Sequence, residues 1–288
     1  MTGRAAPPGK IRIGISSWGS LPGFYPSGIK AADKLRWFAR FFGVVEVNVS
    51  FYRLVPPRTY GGWADITPDE FLFDVKAFSE LTHFREPPPD ETFAAFRDSY
   101  APLRERGRLG GVLLQFPPRF ANSLASHAYL RRVAKLMDGD LSIVEFRNHT
   151  WLAPDRAERT FGLLEDLGLT YAVADEPQIP NDTVPPLPAV TNPALAYVRL
   201  HGRNAAAWYR GGSGGTRYEY DYPPSELQEW AATIRDLAHQ AAEVHVLFNN
   251  NAKGDGARNA LSLASLLGIA PDDPPDLPAE QRRLFEDG

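Results

Sequence analysis

Short apolar, β-branched segments recur along the chain at intervals that leave room for a helix between most pairs. They are "KIRIGISSW" (10–18), "VVEVNVS" (44–50), "FLFDVKAF" (71–78), "GGVLLQF" (110–116), "LSIVEFR" (141–147), "LTYAVAD" (169–175), "ALAYVRLHG" (194–202) and "EVHVLFNN" (243–250). Runs of this kind suit parallel strands covered on both faces. Apolar residues at helical spacing mark 31–42, 90–105, 123–138, 155–167, 224–240 and 257–267, while the link at "WADITP" has room for a turn or two at most. Eight strands alternating with helices predict an α/β fold of the TIM (β/α)8 type. A doubly wound open sheet is the competing arrangement, but no glycine-rich phosphate fingerprint follows the first strand. The sixth connection, "EPQIPNDTVPPLPAVTNP" (176–193), holds too much proline for a helix and is predicted to be an irregular crossover in its place. Residues 1–288 are expected to form a single barrel domain, with 271–288 a proline-rich, charged tail.

The chain carries a formal net charge of −4, so no global basic field points to nucleic acid and any anion site must be local. Cysteine is absent, which excludes disulfide scaffolds, cysteine nucleophiles and thiolate-bound zinc. The start, "MTGRAAPPGKIRIGISSW", lacks the apolar run of a secretory signal, and no membrane-length stretch follows. A cytoplasmic protein without membrane or protein partners is the expectation.

In a closed barrel, one face of each strand packs on the helices and the other fills the interior. In "VVEVNVS" the valines 45, 47 and 49 must then face outward, and Glu46, Asn48 and Ser50 inward. Other strands end similarly, with Lys76, Gln115, Glu145, Arg147, Asp175, Arg199, His201, Arg203, Asn249 and Asn250 near their C-terminal ends. An enclosed charge is costly unless paired, and here Glu46, Glu145 and Asp175 stand against Lys76, Arg147 and Arg199. An internal salt-bridge layer that only fixes the barrel is one reading. A polar pocket at the end where barrel enzymes place their sites is the other, and is favoured. It predicts that Glu46, Asn48, Lys76, Glu145, Arg147, Asp175, Arg199 and His201 line one cavity.

The same residues resemble a known family. "IGISSW" followed by "FYP", then "VEVNVSFYR", "FDVK" with "LTH", "LLQFPP", "VEFRNHTW", "VRLHGR" and "FNNNAKGDGARNA" are similar to the YecE-like family, or domain of unknown function 72, over about residues 11–267. The resemblance implies a TIM-barrel fold and a relationship to barrel endonucleases acting on DNA, without fixing a reaction. One departure is the first loop, "GSLPGFYP", which is shorter than the family pattern between the tryptophan and "FYP".

Six histidines, of which only His83, His149 and His201 fall near strand ends, argue against a trinuclear zinc site. Glu46, Glu145 and Asp175 are oxygen ligands of the type preferred by a divalent cation, Mg²⁺ or Mn²⁺; neutralisation of these carboxylates by Lys76 and the arginines is the equal alternative. Without metal, Glu46 or Glu145 would act as base, with His201 as acid or orienting group. Arg199 and Arg203 beside His201 favour its neutral form. The loop after the eighth strand opens a helix near Asp255 and suits an anion, or is an asparagine-rich turn capped by Asp255. The loop after the seventh strand joins Arg203, Arg210 and Arg217 to Trp208, Tyr209, Tyr218, Tyr220 and Tyr222 around a glycine-rich centre, suiting phosphate and ring stacking or simply sealing the barrel top. Trp63, Trp151 and Trp230 read as core, His83 as structural, and His127, His239 and His245 as remote.

Together these residues favour a hydrolase of phosphodiester bonds, in its narrower form a structure-selective DNA nuclease, with Glu46, Glu145 and His201 catalytic. Asn48, Lys76, Gln115, Arg147, Asp175, Arg199, Arg203, Asn249 and Asn250 are the expected substrate contacts. An anion is expected between Arg199, His201 and the amides of 250–256. The alternatives are a carbohydrate-active barrel with Glu46 and Glu145 as paired carboxylates, or a non-catalytic binder of a phosphorylated metabolite.

Overall fold

The computed structural model describes residues 7–209 and 216–269. Eight parallel strands close into a barrel in sequential order: β1 (Lys10–Ile15), β2 (Val44–Val47), β3 (Leu72–Lys76), β4 (Leu109–Gln115), β5 (Ser142–Glu145), β6 (Thr170–Asp175), β7 (Leu195–Leu200) and β8 (Glu243–Phe248), with β8 pairing β1. Outside lie α1 (Lys34–Phe38), α2 (Pro57–Asp65), α3 (Asp90–Ser99), α4 (Ala101–Glu105), α5 (Leu124–Leu136), α6 (Ala157–Asp166), α7 (Pro224–Ala238) and α8 (Asp255–Leu267). This is the TIM-type barrel expected, and no helix stands between β6 and β7. The 271–288 tail, Arg210 and the glycine-rich centre of the loop after the seventh strand lie outside the described residues.

Local chemistry sets the element ends. Proline occupies the first turn of α2 and α7, where its missing N–H costs nothing. The Ser123 side chain accepts from the Ser126 amide at 3.1 Å and so caps α5. The single helix expected over 90–105 is two, because Pro102 cannot donate to the turn before it and α3 stops at Ser99. The connection around "WADITP" holds a nine-residue helix, α2, longer than expected. Its proline start and buried Tyr60 and Ala64 face supply what the short apolar pattern hid. β2 also ends earlier than its alternation suggests. Asn48 is in the αR region, residues 49–51 form a 3-10 turn, and the Ser50 hydroxyl lies 2.6 Å from both the Val47 and Lys76 carbonyl oxygens. Ser50 thus ties β2 to β3 instead of facing a cavity.

The outer core joins Ile13, Val45, Val75, Leu114, Val144, Val198 and Val246 to the helices. The barrel interior is layered. An apolar plug of Val44, Leu113, Ile143, Ala172, Tyr197 and Leu247 crosses its middle. Below the plug, toward the strand N-termini, Asp74, His245, Glu243 and Arg12 form one ionic cluster. Gly110 is required beside it, since a Cβ there would sit 2.3 Å from Asp74 Oδ1 and 2.8 Å from His245 Cε1. A second ionic cluster lies above the plug, toward the strand C-termini. Among the described residues, no helix is long and apolar enough to cross a membrane.

Candidate functional site

The upper cluster grows from alternate residues of β2, β5 and β7, joined by Glu176 from the turn after β6. On β5 and the residues after it, Ile143 is in the plug, so Glu145 and Arg147 also point inward. On β7, Tyr197 sets the same phase for Arg199 and His201. Arg199, fully buried, donates through Nε and Nη2 to both oxygens of Glu46 at 2.8 and 2.7 Å, and through Nη1 to Glu145 at 2.5 Å. Arg147 bonds the other Glu145 oxygen through Nε, and Glu176 through Nη1 at 2.5 Å. Glu176 also accepts the Val184 amide at 2.9 Å. The third Arg147 nitrogen lies 2.7 Å from His201 Nε2.

These contacts assign protonation states. Burial alone would raise the Glu145 carboxyl, but Arg147 and Arg199 outweigh it and hold the group well below the usual carboxylate range. Burial, reinforced by Arg147, pushes His201 well below an ordinary histidine, so its ring is neutral. A neutral imidazole has one acceptor nitrogen. Arg147 Nη2 faces Nε2, and the Asn249 side-chain nitrogen faces Nδ1 at 3.0 Å, so each ring nitrogen meets a donor and the neutral ring accepts from one of them. Burial raises Glu176 above an ordinary carboxylate, with Arg147 pulling the other way.

Above this layer opens a cavity of about 330 Å³. His83, Gln115, Arg147 and Glu176 meet it from the strand ends, and Pro117, Pro118, Asp182, Thr183, Trp208, Tyr209, Arg217 and Tyr218 meet it from the loops. The Arg217 guanidinium lies 5.1 Å from the Trp208 ring and 5.7 Å from the Tyr218 ring. It donates to the Trp208 carbonyl at 3.0 Å, and no carboxylate pairs with it among the described residues. Burial, with help from Lys76 and Arg119, lowers His83 to about 4, so its ring is neutral near pH 7. Its Nδ1 is 2.8 Å from the Thr82 hydroxyl.

Several expectations for the site need correction. Of the eight residues expected to line one cavity, Arg147 alone does. Glu46, Glu145, Arg199 and His201 are fully buried and bonded within the layer below it. All three guanidinium nitrogens of Arg199 are bound to carboxylates, which leaves none for the anion expected beside it. Asp175 falls on the helix-facing side, in phase with Val173. It accepts Arg203 Nε at 3.0 Å and the Tyr222 hydroxyl at 2.8 Å, and burial raises its carboxyl. Arg203 therefore leaves the site with it, bridging to Glu226. Asn250 is likewise helix-facing, bonded to Asn259 and the Tyr220 carbonyl at 2.8 Å each. The α8 N-terminus is no anion seat, because a Cβ on Gly256 would be 2.2 Å from Asn251 Oδ1 and 3.2 Å from Asn250 Oδ1. Those two side-chain oxygens already fill that space, and the cap is Gly254 rather than Asp255. Asn48 donates to the Ser16 carbonyl at 3.1 Å, outside the cavity lining. Gln115 does line it, and holds Lys76 at 2.9 Å.

The carboxylates are matched by guanidinium groups, and no group of three or more acidic or histidine side chains among the described residues could hold a metal ion. The sequence reading missed Glu176 and Asp182 and gave His83 only a structural part. Glu176 follows the final residue of β6, where strand parity ceases to apply. A carboxylate beside Asp175 in "VADEP" was the available signal.

Residues 12–282 match the model of the family described as "Protein of unknown function DUF72". The chain belongs to this family. The UPF0759 protein YunF of Bacillus subtilis is 36% identical over 268 residues, covering 90% of this chain and 95% of that protein. The UPF0759 protein YecE of Escherichia coli is 31% identical over 113 residues, 38% of this chain and 39% of its own length. Among solved structures, the DUF72 protein EF0366 of Enterococcus faecalis superposes with a TM-score of 0.84 at 29% identity, over 93% of this chain and 100% of that one. The DUF72 protein TM1631 of Thermotoga maritima gives 0.80 at 29% identity, over 90% and 99%. Membership in DUF72 and the TIM-type barrel are thereby shown together.

Proposed function

We propose that the cavity at the barrel mouth binds a phosphate ester of nucleotide size and that the protein hydrolyses that ester. The observation that carries this reading is Arg217. Its guanidinium is stacked on Trp208 in the cavity wall and has no carboxylate partner among the described residues, whereas Arg147 and Arg199 below it are matched to carboxylates. An unmatched guanidinium offers a two-point fork for phosphate oxygens, and the aromatic wall offers a face for a flat ring. The cavity volume sits at the small end of ligand pockets. It admits one nucleotide rather than a duplex, so a DNA substrate would have to present an unpaired nucleotide. Neutral His83, facing the same space, accepts a hydrogen bond from the attacking water. That role passes to it from Glu46, Glu145 and His201, which are buried below.

Calorimetric titration with a nucleoside monophosphate at low salt tests the binding step. Wild type should bind, with affinity falling as salt rises, and Arg217→Gln should weaken binding about tenfold. Equal affinities would overturn the assignment. Binding without turnover of a chromogenic phosphodiester, with or without Mn²⁺, would leave a non-catalytic binder. A second reading rests on Glu176 and Asp182, two carboxylates that line the cavity beside Trp208, Tyr209 and Tyr218. Such a pair against aromatic rings suits a glycoside, and salt-insensitive binding of a neutral glycoside would favour it. The pair Glu46 and Glu145 no longer serves that reading, since both are buried on Arg199.

A further inference from the structure

Lys76 ends β3 with its side chain in the barrel interior, between the charged layer and the cavity. Among the described residues, the salt-bridged layer supplies it no carboxylate. Its ammonium donates to a neutral acceptor, Gln115 Oε1, at 2.9 Å, and sits 4.9 Å from the centre of the Phe51 ring. Glu46 and Glu145, the nearby carboxylates, are held by Arg199 and Arg147 instead. Burial lowers the amine to about 8, with Arg199 and Arg147 adding to the fall and Glu46 and Glu145 only partly opposing it. The other charged or titratable neighbour is His83, whose ring packs 4.9 Å from Phe51 and faces the cavity with Gln115. A desolvated lysine amine beside another cation is a nucleophile toward carbonyl carbon.

We propose that Lys76 forms an imine with an aldehyde or ketone that also carries a phosphate, making the substrate of the cavity a carbonyl-bearing phosphate ester. The amine nitrogen bonds to the carbonyl carbon, the carbonyl π pair moves to oxygen, and both amine hydrogens leave with that oxygen as water. A proton from solvent then converts the imine to the iminium. The proposal rests on the preceding functional reading for the phosphate end alone, which Arg217 holds; the carbon–nitrogen bond does not depend on it.

Pyridoxal 5′-phosphate, a phosphorylated aromatic aldehyde, is the probe. The full chain is incubated with it, reduced with borohydride, digested and mapped by mass spectrometry. Six lysines compete: Lys10, Lys30, Lys34, Lys76, Lys135 and Lys253. At low reagent, Lys76 should carry the adduct, inorganic phosphate should protect it, and pyridoxal without phosphate should label about tenfold less. The labelling rate of the wild type should rise around pH 8, and Lys76→Arg should abolish the adduct. Labelling of the other lysines with Lys76 spared would overturn the proposal. Labelling of Lys76 by pyridoxal and its phosphate alike, unaffected by Arg217→Gln, would keep the imine and remove the phosphate seat. Phosphate-competed reversible binding of the probe without an adduct would keep the seat and remove the imine. Because the pH profile uses wild type alone, a folding defect in Lys76→Arg cannot stand in for either result.

Discussion

The barrel holds an ionic cluster at each end of its apolar plug, and the two are built from the same kinds of side chain with different results. At the lower end, His245 lies between Asp74 at 3.0 Å and Glu243 at 3.2 Å, and Arg12 closes the chain on Glu243 at 2.9 Å. Burial alone would deprotonate that histidine, yet the two carboxylates outweigh it and raise it to about 9, so it carries a charge. At the upper end, His201 sits among Arg147, Arg199 and Glu145 and is neutral. Both clusters bury their charges in pairs, so pairing does not mark a functional site. What separates them is the surplus. The lower cluster matches its cations to acids, whereas the upper end leaves Lys76 and Arg217 without carboxylate partners among the described residues, beside an open cavity.

The largest effect should come from breaking the upper cluster at its centre. Arg199→Met strands Glu46 in the interior and leaves Glu145 with Arg147 alone, and an uncompensated buried charge costs about 4 kcal/mol. Denaturation at pH 7 should show this loss, and the deficit should shrink in acid as the stranded Glu46 carboxyl protonates. A loss under about 1 kcal/mol would mean that water reaches the layer.

Next in size is the charge on His245. Its folded pKa near 9 exceeds the ordinary 6.5, so its stabilisation is complete below pH 6.5 and disappears as pH rises through 9. The shift corresponds to about 3 kcal/mol. His245→Asn should flatten the stability profile between those limits while leaving ligand binding at the opposite end unchanged. A profile as steep as wild type would assign the slope to other groups. The same cluster should reject volume. Gly110→Ala places a methyl against Asp74 and His245 and should cost about 2 kcal/mol. Gly62→Ala meets nothing within 4 Å on α2 and should be stabilising by about 0.5 kcal/mol. Equal melting temperatures for the two variants would break the contrast.

Strand phase decided how much of this could be read beforehand. In β2 the valines alternate with polar residues, so Glu46 could be turned inward from sequence, and Glu145, Arg147, Arg199 and His201 followed in the same way. β6 is apolar along most of both faces, which leaves phase undetermined, and Asp175 was turned the wrong way for that reason. In β8 Glu243 and His245 alternate with valines, so the phase that puts Asn250 on the helix side was present in the sequence and was not applied. Depth was illegible altogether. Whether an inward residue meets the cavity or lies sealed under it depends on strand stagger and on the loops bearing Pro117, Asp182 and Trp208, none of which has a periodic signature. His83 shows this most directly, since its place at the cavity wall comes from a 3-10 turn after β3.

His83 also supplies the smallest and most discriminating measurement, because its slope runs opposite to that of His245. Burial lowers it to about 4, beneath the ordinary 6.5, with Lys76 and Arg119 adding repulsion. The unfolded chain therefore binds a proton that the folded chain refuses. This contribution to stability is complete above pH 6.5 and is lost as pH falls through 4. The ring is only about half buried, so solvent screening limits the effect to about 1 kcal/mol. Proton NMR of the histidine ring signals should find both His83 and His201 still neutral at pH 5 and His245 still charged at pH 8. His83→Asn should remove one of the two neutral signals together with its share of the acid-side slope, and leave the alkaline slope intact. If His83 instead titrates near 6.5, Lys76 does not carry its charge beside it at that pH, and the cavity floor is more hydrated than its packing indicates.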